Sequence, residues 1–152
     1  MTSITTIAWL RLVPVGLLIS SVGQAVPSSD TATITANVGP LRNDNGSLAC
    51  RLYASAQGFP RTATGVGSQR VKIGGGTARC VFENVKPGAY AIVVHHDEND
   101  NHRFDKSLLG VPLEGYGASN NHTHALSPPT WQESKFVIES NEAIALAISI
   151  RY

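Results

Sequence analysis

Apolar and polar residues alternate with a period of two over short stretches separated by turn residues. This is the pattern of strands that bury one face, and its repetition predicts an all-β sandwich. Residues 31–38 alternate without a fault and place Ala32, Ile34, Ala36 and Val38 on one side. Asn43-Asp44-Asn45-Gly46 reads as a hairpin turn leading into a strand through Tyr53, because Asn-Gly accepts the positive φ angles that tight hairpins demand. Residues 55–68, with Gly58, Pro60, Gly65 and Gly67, read as a long surface loop. Residues 69–73 follow as an edge strand, Gly74-Gly75-Gly76 as a turn and residues 77–83 as a strand. Residues 89–95 are apolar on both faces, so they belong at the centre of a sheet that is covered on both sides. A long irregular connection, residues 97–130, comes next. Thr130 and Glu133 have the spacing of a capping box for one helical turn, and residues 136–139 and 143–151 return to strand. In the last of these Ile144, Leu146, Ile148 and Ile150 face the core.

The N-terminus follows another pattern. Arg11 is the only charge in residues 1–25, and the apolar stretch 12–19 precedes Gly23-Gln24-Ala25, with small residues where a signal peptidase reads. That stretch falls short of the ~20 apolar residues that cross a bilayer, and Pro14 interrupts it. The expectation is a signal peptide over 1–25, a single β-sandwich domain over 26–152 without a transmembrane segment, and a periplasmic or extracellular location. Cleavage removes one of the 12 Lys and Arg residues and leaves 11 against 11 Asp and Glu. Neutrality gives no electrostatic reason to expect nucleic acid or an anionic membrane as partner. The basic residues from Arg42 to Lys86 read as solvated strand faces. Cys50 and Cys80 share strand faces with Leu48 and Leu52 and with Ala78 and Phe82, so an exported chain is expected to pair them. That bridge closes a loop of about 31 residues and contributes about 3–4 kcal/mol on the chain-entropy model.

Candidate chemistry concentrates after the central strand. Asp97, Asn99, Asn101 and Asp105, with the Arg103 carbonyl, repeat the spacing of positions 1, 3, 5, 9 and 7 of a calcium loop. Two positions depart from the EF-hand: His102 stands where glycine allows the sharp turn, and Leu108 where a bidentate glutamate should sit. Glu98, Asp100 and Glu114 are candidates for the missing carboxylate. With two ionised ligands, affinity falls to the ~10⁻⁴–10⁻³ M range of extracellular calcium modules, which suits structural stiffening. The alternative is an Asx-rich turn without an ion, in which the acidic side chains would repel one another uncompensated. His95, His96, His102, His122 and His124 offer a competing zinc or copper site, although no cysteine or Glu-x-x-His pattern accompanies them. Glu114 with Asp97 or Asp105 could be drawn as an acid and base pair. No Gly-x-Ser-x-Gly, phosphate-cradling glycine loop or free cysteine supports an enzyme, so no catalytic residue is assigned. Gly110-Val111-Pro112-Leu113-Glu114-Gly115-Tyr116-Gly117 is expected to fold back on the ion loop, with Glu114 turned toward it or toward a histidine and Tyr116 acting as a lid or a ligand contact.

Residues 91–99, Asn101, Asp105 and residues 109–120 resemble the signature of a bacterial family catalogued as domain of unknown function 2141. The resemblance extends to Arg51-Leu52-Tyr53, Gly58-Phe59-Pro60, residues 85–90 and Pro128-Pro129. In that family the loop core is Asp-x-Asn-Gly-Asn-Gly, and here Asp100 and His102 occupy the two glycine positions. The resemblance implies an exported prealbumin-like or immunoglobulin-like antiparallel sandwich and no established activity. The combined expectation is a calcium-stabilised binding module that presents residues 114–117 to an unknown protein or glycan ligand.

Overall fold

A computed structural model describes residues 30–61, 65–124 and 127–152. The expected signal peptide lies outside the described residues. Two sheets pack face to face. The first has β1 (Ala32–Val38) between β4 (Ala78–Val85) and β8 (Ala143–Ile148). The second has the order β3 (Gly67–Lys72), β2 (Ser47–Tyr53), β5 (Gly88–Asp97), β6 (Gly115–Ala118), with β7 (Phe136–Ile138) pairing the first residues of β5. Among the described residues, no helix is long and apolar enough to cross a membrane.

The alternation in the sequence becomes the core. Ile34, Ala36, Leu48, Ile92 and Val94 are fully buried, and Ile144, Leu146 and Ile150 pack against that cluster from the C-terminal strand. Cys50 and Cys80 face each other across the sandwich and are bridged, with Cα atoms 6.5 Å apart, so the disulfide ties β2 of one sheet to β4 of the other. β5 is central as its two apolar faces require, with β2 on one side and β6 and β7 on the other. Thr130 and Glu133 form the reciprocal capping box of the single helical turn, α1 (Trp131–Ser134).

Three details differ from the sequence reading. The turn at 43–46 does not make a hairpin: β1 pairs β4 and β8, β2 pairs β3 and β5, and the turn carries the chain from one sheet to the other. Gly46, at φ 66°, is required there for a different reason, since a Cβ would fall 1.9 Å from the Asp97 carbonyl oxygen. The β1–β8 pair is parallel, in contrast to the antiparallel pairs elsewhere. Residues 97–130 are also not wholly irregular. They contain β6, whose glycines mark close packing against the C-terminal segment. A Cβ on Gly115 would lie 2.4 Å from the Tyr152 ring, and one on Gly117 2.4 Å from the Ser149 carbonyl oxygen.

Candidate functional site

β5 ends in His95-His96-Asp97, and the pleat sends alternate side chains to opposite faces. His96 turns to the core side, fully buried, with Nδ1 2.7 Å from the Tyr152 hydroxyl and Nε2 2.9 Å from the Asn45 carbonyl oxygen. His95 and Asp97 turn to the outer face, where the loop after β5 folds back over them.

Asp97 organises the first half of that loop. Its carboxylate is fully buried and accepts the backbone N–H groups of Asn101 (3.1 Å) and His102 (2.9 Å), and Arg70 of β3 reaches it at 2.7 Å. Burial alone would raise its pKa, but the His102 N–H and the hydrogen bond and charge of Arg70 outweigh that and hold it below its ordinary 3.8. Asn99 and Asn101 accept from the N–H groups of Asn101 and Arg103, and both side-chain amides donate to one oxygen of Asp105 at 2.8 Å. Asp100 and His102 take φ 53° and 64°. The backbone therefore adopts left-handed geometry at the two positions where the resembling family has glycine, and these side chains bear the strain.

Glu114 ties the loop's two ends together. It is 4 % exposed, and its carboxylate accepts from the N–H of Glu98 (3.1 Å) and of Asp105 (3.0 Å) and meets His95 Nε2 at 2.8 Å. The inward orientation expected for Glu114 is the observed one. Beside it, Glu98 pairs with Arg42 at 2.6 Å and accepts from Asn43 at 3.0 Å. Burial works to raise the Glu98 pKa, and these two partners bring it below 4.5. Asp97, Asn99, Asn101, Arg103, Asp105 and Glu114 thus belong to one connected network.

Arg42 and Arg70 correct the sequence reading of the basic residues as solvated strand faces. They neutralise Glu98 and Asp97, so part of the loop's acidic charge is compensated from elsewhere in the fold. The signal for them was indirect: a carboxylate continuing a fully apolar strand needs a buried cation or donors. Asp100 and Asp105 are the loop carboxylates without a basic partner among the described residues. An acid and base role for Glu114 with Asp97 or Asp105 gains nothing here, since Glu114 and Asp97 are committed to backbone donors and to His95 and Arg70.

The histidines are dispersed. His95 and His96 lie on opposite faces, and His102 is largely exposed with Nδ1 3.9 Å from Asp97. His122 is exposed, and His124 pairs with Glu133 at 3.0 Å. Among the described residues, no group of three or more His, Cys, Asp or Glu side chains is placed to hold a metal ion.

A cleft of about 640 Å³ opens over the outer face of β5 and β6. Val93, His95 and Tyr116 of the two strands form its floor, and Phe104, the turn around Leu109 to Pro112, and Pro60, Pro128 and Pro129 line it further. Phe104 meets His95 and Tyr116 edge-on, with centroids 5.1 and 5.8 Å apart. The Tyr116 hydroxyl donates to the His124 carbonyl oxygen at 2.6 Å, so the ring packs and also lines the cleft. The expected display of residues 114–117 as a surface is corrected: Glu114, Gly115 and Gly117 are buried, and Tyr116 alone reaches the cleft.

No curated protein and no solved structure matches the chain. The profile of the family described as "Uncharacterized protein conserved in bacteria (DUF2141)" matches residues 36–145. The chain belongs to this bacterial family.

Proposed function

We propose that this DUF2141 protein is an exported β-sandwich binding domain, whose loop over residues 97–114 is braced by Glu114, stiffened by calcium, and forms one wall of a ligand cleft. The observation that carries the reading is the cleft itself. At about 640 Å³ it falls within the roughly 300–1,000 Å³ of small-molecule sites, and it joins an aromatic floor to a few polar groups. Its wall is held from beneath by a buried carboxylate with three partners, so the cleft is formed before any ligand arrives. The Cys50–Cys80 bridge and the leader-like residues 1–25 support export to an oxidising compartment, periplasmic or extracellular.

Calcium is assigned to Asp105 and the Arg103 carbonyl, because Asp105 has no basic partner among the described residues; Asn99 and Asn101, whose amide N–H groups donate to Asp105, become ligands by turning their oxygens toward the ion. Pairing of Asp97 with Arg70 lowers the charge available to an ion, so affinity belongs in the ~10⁻⁴–10⁻³ M range. The histidine-dependent zinc or copper reading gains no observation of its own. Calcium at ten times its dissociation constant should stabilise the fold by about 1.4 kcal/mol, visible as a higher melting temperature than in chelator. Asp105→Asn should erase that increment. Identical melting with calcium and chelator would remove calcium from the proposal and leave the cleft to be tested alone.

A further inference from the structure

The cleft joins uncovered cations to an uncovered apolar wall. Arg51, Arg61 and Lys106 line it, no aspartate or glutamate does, and none of the three is ion-paired among the described residues. Arg51 is the sharpest case. Its Nε is buried and has no hydrogen-bond partner among the described residues. Its stem lies close against Gly65, where an added Cβ would fall 2.7 Å from Arg51 Cγ. With no carboxylate lining the cleft beside it, the Arg51 guanidinium favours an anionic acceptor both by hydrogen bond and by charge. Lys106 extends along the same wall with its ammonium 5.3 Å from the centre of the Phe104 ring. Opposite chemistry lies beside them: Leu109 is 92 % and Val111 46 % exposed among the described residues.

We infer that the cleft binds a small amphipathic organic anion, a carboxylate or similar group on an apolar body, with the anion at Arg51 and Lys106 and the body against Tyr116, Leu109 and Val111. This rests on the cleft being a ligand site, as proposed above. It adds the ligand's charge and polarity. Neutral apolar ligands leave the charges of Arg51 and Lys106 unpaired, and small inorganic anions leave the apolar wall wet.

Two fluorescent probes with the same aromatic body separate the ideas: anilinonaphthalene sulfonate, and N-phenylnaphthylamine, which lacks the sulfonate. With the oxidised protein at low salt, the sulfonate should bind about tenfold or more tightly than the neutral probe, and the gap should narrow in high salt. Arg51→Gln and Lys106→Gln should each close much of the gap. Lys106 is on the loop wall, so its variant keeps the test decisive if Arg51→Gln fails to fold. Arg79→Gln, on the other sheet, should change nothing. Equal affinity for the two probes, or a gap indifferent to both substitutions, overturns the anion assignment and leaves the binding domain standing. A folded protein that binds neither probe overturns both.

Discussion

His95 and His96 are neighbours in the chain, yet they belong to different parts of the molecule. His96 lies on the face of β5 that meets the core, sealed from solvent, and braces the C-terminal Tyr152 to the Asn45 carbonyl. His95 lies on the outer face, paired with Glu114 at the floor of the cleft. The same division runs through the whole second sheet: Leu48, Cys50 and Val94 on one side, Arg70, Arg51 and Tyr116 on the other. Chemistry that looks clustered along the chain is separated by the two-residue period of the strand. The core face specifies stability, and the outer face is free to specialise because a loop and not the first sheet covers it.

Glu114 is where the division should be weakest, since it is an outer-face residue that is nonetheless buried. Glu114→Ala strands two backbone N–H groups and is expected to cost about 2–3 kcal/mol in urea unfolding and to weaken probe binding as the wall loosens. A loss under about 1 kcal/mol would show that the brace is incidental. Next in size, His96→Leu should cost about 2 kcal/mol by leaving the Asn45 carbonyl unpaired, with probe affinity unchanged. His95→Gln should do the reverse, moving probe affinity more than stability. Equal behaviour of the two variants would collapse the comparison.

Acid gives a graded test of the loop alone. Asp97 and Glu98 have folded pKa values below their ordinary 3.8 and 4.5, so their contribution is complete above those values and is lost as pH falls through the lower folded ones. Melting temperature should decline below about pH 4.5, and Asp97→Asn should flatten the decline. An unchanged slope in that variant would remove the Arg70 pairing from the account. The smallest effect is a gain. His102→Gly relieves a left-handed residue and should stabilise by about 0.5–1 kcal/mol, because part of the relief is offset by greater freedom of the unfolded chain.

What the sequence made legible follows from local physics. The faultless alternation of Ala32 to Val38, the shared phase of Cys50 and Cys80, the two-sided apolar run before His95 and the Thr130–Glu133 spacing are each decided by residues close in the chain, and each appears in the structure as expected. What it concealed depends on partners. Period two says which face a residue takes and not which strand lies beside it, so the 43–46 crossover and the parallel β1–β8 pair were invisible. β6 stayed hidden in the connection read as irregular, because a glycine needed for close packing, as at Gly115 and Gly117, looks the same as one needed for its φ. Arg70 reaches Asp97 from 27 positions away, and no spacing rule marks it.

The central claim is that the outer face of β5, with the braced loop, is the binding surface. An amide NMR titration of the oxidised protein with octanoate, a carboxylate on an apolar tail, tests it most directly. The expected result is saturable shifts at Val93, His95, Phe104, Lys106 and Tyr116, with the core-face amides of Leu48, Cys50 and Val38 unmoved. Shifts centred on the other sheet, or none at saturating octanoate, would contradict it.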